Sequence, residues 1–394
     1  MVLRDIDDDI DIDDPIRSLV RPDILPDPYP TYTRLRDRQP IFFYEPLQSW
    51  MLTRYADCVA VLRDSERFAA DWRRAGEEMP PQAISVQTLD PPEHTAIRRL
   101  VMEALRVVDH DAITRKVADR VSQLLASAAN RPSVDFIAEV AEPLTAGTIA
   151  DFLGVPQPEL SWFVAVSKTV ADGMDAGLWP ELGPPAMSAR AELAAFTDSW
   201  LVDPPASGVV AHIAVHIDRS GVERTVVANT LRVLLHAGFE SASRLCGLAA
   251  AVLLGEPHRL DLFRRADPHL AVDELVRFTS PVQATARVCV TDTELDGVRI
   301  SAGQAVTLLL GAANRDPDRF PQPDSWWPER RVNPHLGFGR GAHSCLGSPF
   351  AALQARALFS ALAAEHPAAR LVADPVFRPN LTLRGLDRLD IALR

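Results

Sequence analysis

Phe338-Gly-Arg-Gly-Ala-His343-Ser-Cys345-Leu-Gly347 decides how the rest of the chain is read. One cysteine sits in a short glycine-punctuated segment and directly precedes an apolar helical run, Pro349 to Leu362. Gly339 and Gly341 permit tight backbone geometry that a Cβ would forbid. The helix after Cys345 aims its unpaired N–H groups and positive dipole end at the sulfur, which favours thiolate over thiol. That placement suits an axial metal-ligating thiolate. A His/Cys metal module of the structural-zinc kind is disfavoured, because no second ligand stands at metal spacing near Cys345 and the chain has no C-x-x-C pair. Cys58, Cys246 and Cys289 read as core residues, and no disulfide framework is indicated.

The 394 residues are 47% hydrophobic and 24% charged, an ordinary globular balance, while 32 prolines imply many irregular connections. A net charge of −12, with no basic stripe interleaved with aromatics, argues against a nucleic-acid partner. The longest apolar stretch, Leu245 to Leu254, is short of a membrane span. No basic region followed by an apolar one opens the chain, so a cytoplasmic location is expected. Asp5 to Asp14 is acid-rich, and residues 1–24 are expected to form a mobile leader ahead of a single domain over 25–394.

Ser49 to Arg54 reads as a strand and Tyr55 to Arg63 as a helix. Pro91 and Pro92 set up a helix through Arg106, since proline suits a first turn. Helical patterns follow across 109–129, 138–153, 158–172 and 186–201, with a Gly- and Pro-rich loop over 173–185. The stretch 222–254 has no proline and would form a rod of about 45–50 Å. Its apolar residues lie nearly all round, which predicts central burial. After residue 280 the pattern turns to β-like pieces at 284–290, 298–300 and 305–309. Pro-rich coil then fills 316–337, and short strands near 380–393 finish the chain.

The segment around Cys345 resembles the haem-binding signature of cytochrome P450 enzymes, F-G-x-G-x-H-x-C-x-G, matched at Phe338, Gly339, Gly341, His343, Cys345 and Gly347. The resemblance extends from about residue 25 to the end. It implies a mainly α single-domain fold with a smaller β-rich part, holding haem b between a long central helix and the Cys345 loop. Cys345 would be the axial ligand, with Leu346 and Gly347 beside the cofactor. A haem-bound thiolate donates electron density that favours O–O cleavage.

Other segments carry the resemblance further. His94 and Arg98, four apart on one helix, together with Arg287 and His343, match positions that bind haem propionates, a task suited to arginine's fixed fork of donors. Ala237-Gly238-Phe-Glu240-Ser241 on the long helix matches the oxygen-binding segment. There Ala237 and Gly238 would let the helix approach the haem and open its ladder. Glu240 followed by Ser241 would relay protons. The family's threonine is replaced by Ser241, which keeps the hydroxyl but loses the methyl that restrains χ1.

Glu274 and Arg277 resemble the family's buried E-x-x-R pair, with Arg330 or Arg331 as a third member. Substrate-facing candidates are Val86 and Gln87, Val233 and His236, and Gln283, Ala284 and Thr285, with specificity expected in loops around 72–89 and 168–190.

The implied activity is insertion of one oxygen atom from O2 into a small organic substrate, of the secondary-metabolite kind. No flavin or nicotinamide motif is present, so electrons would come from an external ferredoxin and reductase, docking near Arg99 and Arg340. Ser241 leaves oxidative coupling or ring formation on the same fold as an alternative. A non-catalytic haem sensor is the alternative from another class, against which the retained Glu240 and Ser241 argue.

Overall fold

The computed structural model describes residues 14–256 and 258–394. The acidic stretch before Asp14 lies outside the described residues. Residues 14–24 are packed chain rather than leader. Ile16 and Leu19, one turn apart, are buried with Tyr29, Tyr32 and Met51, and Arg17 donates from Nη2 to the Leu178 carbonyl at 3.1 Å.

Helices α1 (Tyr29–Arg38) and α2 (Tyr55–Arg63) flank the first strands. Then come α3 (Glu93–Val107), α4 (His110–Ala128), α5 (Glu142–Leu153), α6 (Leu160–Asp172), α7 (Gly183–Thr197) and α8 (Gly208–Ser220). The central rod is α9 (Arg224–Leu254), followed by α10 (Arg259–Arg265), α11 (Pro268–Thr279), the single turn α12 (Leu310–Ala313) and α13 (Ser348–Glu365). Local chemistry explains several starts. Asp109 accepts from the Ala112 N–H and caps α4, and Glu159 accepts from Ser161 and Trp162 at α6. Asp267 caps α11, whose first residue is Pro268. The helix expected from 138 begins as a π-turn over Ile137–Ala141 and becomes α-helical only at Glu142. α7 starts at Gly183, inside the stretch expected to be loop.

The main sheet has five strands, β1 (Ile41–Tyr44), β2 (Ser49–Leu52), β3 (Phe68–Ala69), β5 (Ala284–Cys289) and β8 (Ala305–Leu309), in the order β1-β2-β8-β5-β3. Only the β2–β8 pair among them is parallel. A second sheet joins β4 (Val134–Asp135), β12 (Asp390–Ala392) and β9 (Arg370–Leu371), and hairpin pairs form from β6 (Thr293–Leu295) with β7 (Val298–Ile300) and β10 (Val376–Phe377) with β11 (Leu386–Arg388). The mainly α fold with a smaller β-rich part is thus as the sequence implied.

The 31 residues of α9 span about 46 Å. By length and composition α9 is apolar enough to cross a membrane, yet 72% of its most apolar window is buried inside the protein. Its C-terminal half packs in the large core with α4, α5, α11 and α13, and its N-terminal half packs with α3, α6, α7 and α8. Together these two clusters make α9 the axis against which the other helices are placed. Cys58, Cys246 and Cys289 are buried as expected, and burial pushes the Cys246 thiol up to about 12.

Candidate active site

The Cys345 loop is held by its own backbone. The Cys345 N–H donates to the Phe338 carbonyl at 2.8 Å, and the Ser344 N–H to Gly341 at 3.2 Å. Gly339 and Gly341 lie at φ +65° and +71°, the left-handed region that glycine enters without strain. At Gly341 a side chain is also excluded by contact, because a Cβ would stand 2.3 Å from the Leu62 carbonyl oxygen at the end of α2. Phe338 packs on the large core and lies 5.6 Å from the His335 ring. Leu346 packs on the second core cluster.

Cys345 itself is reachable from an open cavity of about 960 Å³ bordered by Arg63, Asp273, His335, Arg340 and Ser348. The surrounding protein desolvates the thiol and pushes it up. The Gly347 and Ser348 backbone groups at the start of α13 and the Arg98 guanidinium pull the other way. A bound metal ion would complete the deprotonation that these donors only favour.

Four basic side chains stand around this loop: His94 and Arg98 on α3, Arg287 on β5, and His343 in the loop itself. From α3, Arg98 Nη2 donates to Ser344 Oγ at 3.1 Å, and the His94 ring lies 4.3 Å from the His343 ring. His343 Nε2 is 3.4 Å from an Asp90 carboxylate oxygen. Arg287, on β5, is buried and bonded only to Thr285 Oγ1 and its neighbour's carbonyl among the described residues. Burial, with His343 and Arg98 nearby, drives His94 down to about 4, so it is neutral at neutral pH, and its buried Nε2 has no partner. A thiol at a helix start, an orphaned imidazole nitrogen and two underused arginines fit an iron porphyrin with two acidic arms.

Asp90 was not among the residues singled out from the sequence. It accepts from the Ala70 and Asp71 N–H groups and from Arg74 as well as facing His343. Burial alone would raise its carboxyl, but His343 and those N–H groups outweigh it and hold it at about 2. Its only signal in the sequence was its place just before Pro91-Pro92.

The chain belongs to the cytochrome P450 family. A family profile described as Cytochrome P450 matches residues 269–363. The cytochrome P450 monooxygenase PikC of Streptomyces venezuelae is 32% identical over 94% of this chain and 92% of its own. The 6-deoxyerythronolide B hydroxylase of Saccharopolyspora erythraea is 31% identical over 93% and 96%. Among solved structures, CYP109E1 from Bacillus megaterium in complex with testosterone superposes with a TM-score of 0.86 at 25% identity, covering 93% and 98% of the two chains. This P450 is therefore a haem-thiolate monooxygenase, an enzyme that uses an organic substrate, O2 and a redox partner.

On α9 the P450 segment differs in detail from expectation. The helix is continuous through Ala237 and Gly238, with no opened turn. Ser241 donates its hydroxyl to the Ala237 carbonyl at 2.7 Å. The missing Cβ of Gly238 faces Ile149 on α5, where it would meet Cδ1 at 2.6 Å, so this glycine serves helix packing. Glu240 is buried and accepts from Arg244 Nε at 2.8 Å.

Among the substrate-facing candidates, Val86 is buried, its N–H donating to Thr230 Oγ1 of α9 at 3.1 Å, whereas Gln87 is exposed. Val233 and Thr285 are half-buried. His236 is buried with both ring nitrogens unpartnered, and burial drives it down to about 4. Gln283 and Ala284 are buried. The Gln283 amide donates to the Ser280 carbonyl and packs against Gly311, while Ala284 is buried in the cluster around Tyr29.

The third member of the Glu274–Arg277 network is Arg330. Its Nε lies 3.1 and 3.0 Å from the two Glu274 oxygens, whereas Arg331 is exposed.

Proposed function

We propose that this P450 hydroxylates a small, mainly apolar organic substrate of the secondary-metabolite kind in the cytoplasm, drawing electrons from a ferredoxin-type donor. The observation that carries the reading is the convergence of His94, Arg98, Arg287 and His343 around the loop that presents Cys345. Support for the substrate class comes from PikC and the 6-deoxyerythronolide B hydroxylase as relatives.

Haem, when bound, supplies reductive activation of O2. The chain's residues do the rest. Arg98, Arg287, His94 and His343 would hold the two propionates and so fix the plane of the porphyrin. Val86, Val233 and the loops that meet α9 would exclude water and orient the substrate, with His236 as a neutral hydrogen-bonding group in an apolar wall. Glu240 and Ser241 would deliver protons. For that, the Ser241 hydroxyl must release the Ala237 carbonyl and turn, a rotation that serine's unbranched Cβ permits.

Arg63 and Arg340 border the cavity under Cys345, and Arg99 is exposed on α3. These guanidinium groups support docking of an acidic donor there. Charge reversal at Arg99 and Arg340 together is expected to slow electron transfer and flatten its salt dependence. Unchanged rates at every ionic strength would reject that surface.

The reduced, CO-bound absorption spectrum tests the centre. Wild type is expected to show the thiolate-type Soret shift and Cys345→Ser to lose it. Turnover under ¹⁸O2 then tests the reaction, with label expected in the product. An unlabelled, dehydrogenated product would establish the second reading, oxidative coupling, which the Ser241–Ala237 bond favours by withholding the hydroxyl.

A further inference from the structure

Along one face of α9 stand Arg232, His236, Glu240 and Arg244, each four residues from the next. This polar stripe runs through a helix that is otherwise largely apolar and buried. Next to Glu240 it borders a cavity of about 320 Å³, including its mouth, whose walls include Glu142 of α5, Lys168 of α6, Ser243, Arg244 and Arg378. Glu142 and Lys168 form an ion pair at 3.1 Å. Arg244 is anchored on both sides, to Glu240 through Nε and to the Leu383 carbonyl through Nη1. None of Glu142, Lys168 and Arg244 has a part in the chemistry described so far.

Each turnover of a monooxygenase consumes protons: RH + O2 + 2e⁻ + 2H⁺ → ROH + H2O. If Glu240 donates, it must be reloaded. The cavity has room for an ordered water, and Glu142, Lys168, Ser243, Arg244 and Arg378 offer it hydrogen-bonding partners between the apolar walls of Ile137, Phe239 and Leu386.

We propose that Glu142 reloads Glu240 with protons through this cavity, with Lys168 as the gate and Arg244 as the residue that positions the Glu240 carboxylate. The inference rests on Glu240 being the proton donor proposed above. The proton that leaves Glu240 is replaced from the Glu142 carboxyl through cavity water. Glu142 takes its replacement from solvent past Lys168 and Arg378, and no electrons move. Lys168 is the flexible member, able to swing from the carboxylate and back.

Glu142 is suited to the task by its surroundings. Burial pushes its carboxyl above the ordinary range, Lys168 pulls it down, and Glu240 and Asp135 raise it further. Glu240 in turn faces Arg244 and His236 on its own helix. Arg378 also faces it, from a position tied to Asp172 and Asp387.

The test uses the holoenzyme with NADPH, a surrogate ferredoxin and its reductase, following NADPH oxidation and peroxide release in air. Glu142→Gln and Lys168→Met are each expected to slow proton-dependent turnover roughly tenfold, raise the solvent isotope effect and move the pH profile. Glu142→Gln/Glu240→Gln is expected to lose no more than Glu240→Gln alone, since serial steps are not additive. Wild-type rates and pH profile in Glu142→Gln, or additive losses in the double variant, would overturn the proposal while Glu240→Gln still impairs turnover. If Glu240→Gln itself has no effect, the underlying assignment of Glu240 fails and takes the inference with it.

Infrared pH titration gives a readout independent of turnover. A protonated-carboxyl band is expected that vanishes in Glu142→Gln and shifts in Glu240→Gln. Absence of such a band in wild type also overturns the proposal.

Discussion

Two glutamates in this molecule are buried against arginine, and they are built on opposite plans. Glu274 is fully enclosed and takes bonds from Arg277, Arg330 and the Trp327 N–H. The arginines spend their remaining donors on carbonyls of Asn314, Pro323, Ser325, Pro321 and Gln322. Glu240 has Arg244 alone as its hydrogen-bond partner among the described residues, and it borders a cavity. One turn away, His236 has no partner at either ring nitrogen. A saturated network locks the coil at 316–337 onto α11 and resists change. An unsaturated one retains room for water. The contrast separates a closed polar network from an open one.

The largest expected effect comes from Glu274→Ala, which strands Arg277 and Arg330 as buried unpaired charges. A loss of about 3–5 kcal/mol is expected in urea unfolding, with poor haem retention. A loss under about 1 kcal/mol would erase the distinction between the two clusters. Glu240→Gln should do the reverse. Product formation is expected to fall on the order of a hundredfold, while stability drops by only about 1 kcal/mol. Steady-state turnover set beside the same unfolding assay checks both halves.

His236 sharpens the comparison through pH. Its folded pKa, about 4, lies below the ordinary 6.5 because burial disfavours the cation. The unfolded chain therefore binds its proton first as pH falls. The stability it contributes is complete above 6.5 and is lost progressively toward pH 4. Between pH 6.5 and 5 this amounts to about 2 kcal/mol, and His236→Phe is expected to remove that part of the acid sensitivity in thermal unfolding. An unaltered slope would place His236 in contact with water. The smallest effect is expected from Ser241→Thr. Restoring the methyl should raise product per NADPH by roughly twofold to threefold without altering stability, as χ1 becomes restricted.

Much of this contrast was legible in the chain, for particular reasons. The Cys345 loop could be read because its constraints are local: two positive-φ glycines, a cysteine at a helix start and a fixed spacing. Glu274 and Arg277 could be read because three residues bring them to one face of a helix. The choice between Arg330 and Arg331 could not, since it depends on how irregular coil folds back on α11. The polar stripe on α9 has a four-residue period visible in the sequence, but apolar residues around it pointed only to burial. The burial of Gln283 and Ala284 could not be read either, since it follows from the packing of β5 against β8 and α12.

Composition, spacing and the Cys345 signature by themselves determined the family, the thiolate ligand and the long buried helix, because each is a property of contiguous residues. Only the tertiary structure decided that Asp90 stands against His343 beside the Cys345 loop, that residues 14–24 belong to the folded body, and that Glu142 and Lys168 meet Glu240 around one cavity. Glu142 and Lys168 stand 98 and 72 residues before Glu240, and Asp90 stands 253 before His343. Long-range electrostatic encounters follow from how helices pack, and no local pattern encodes them.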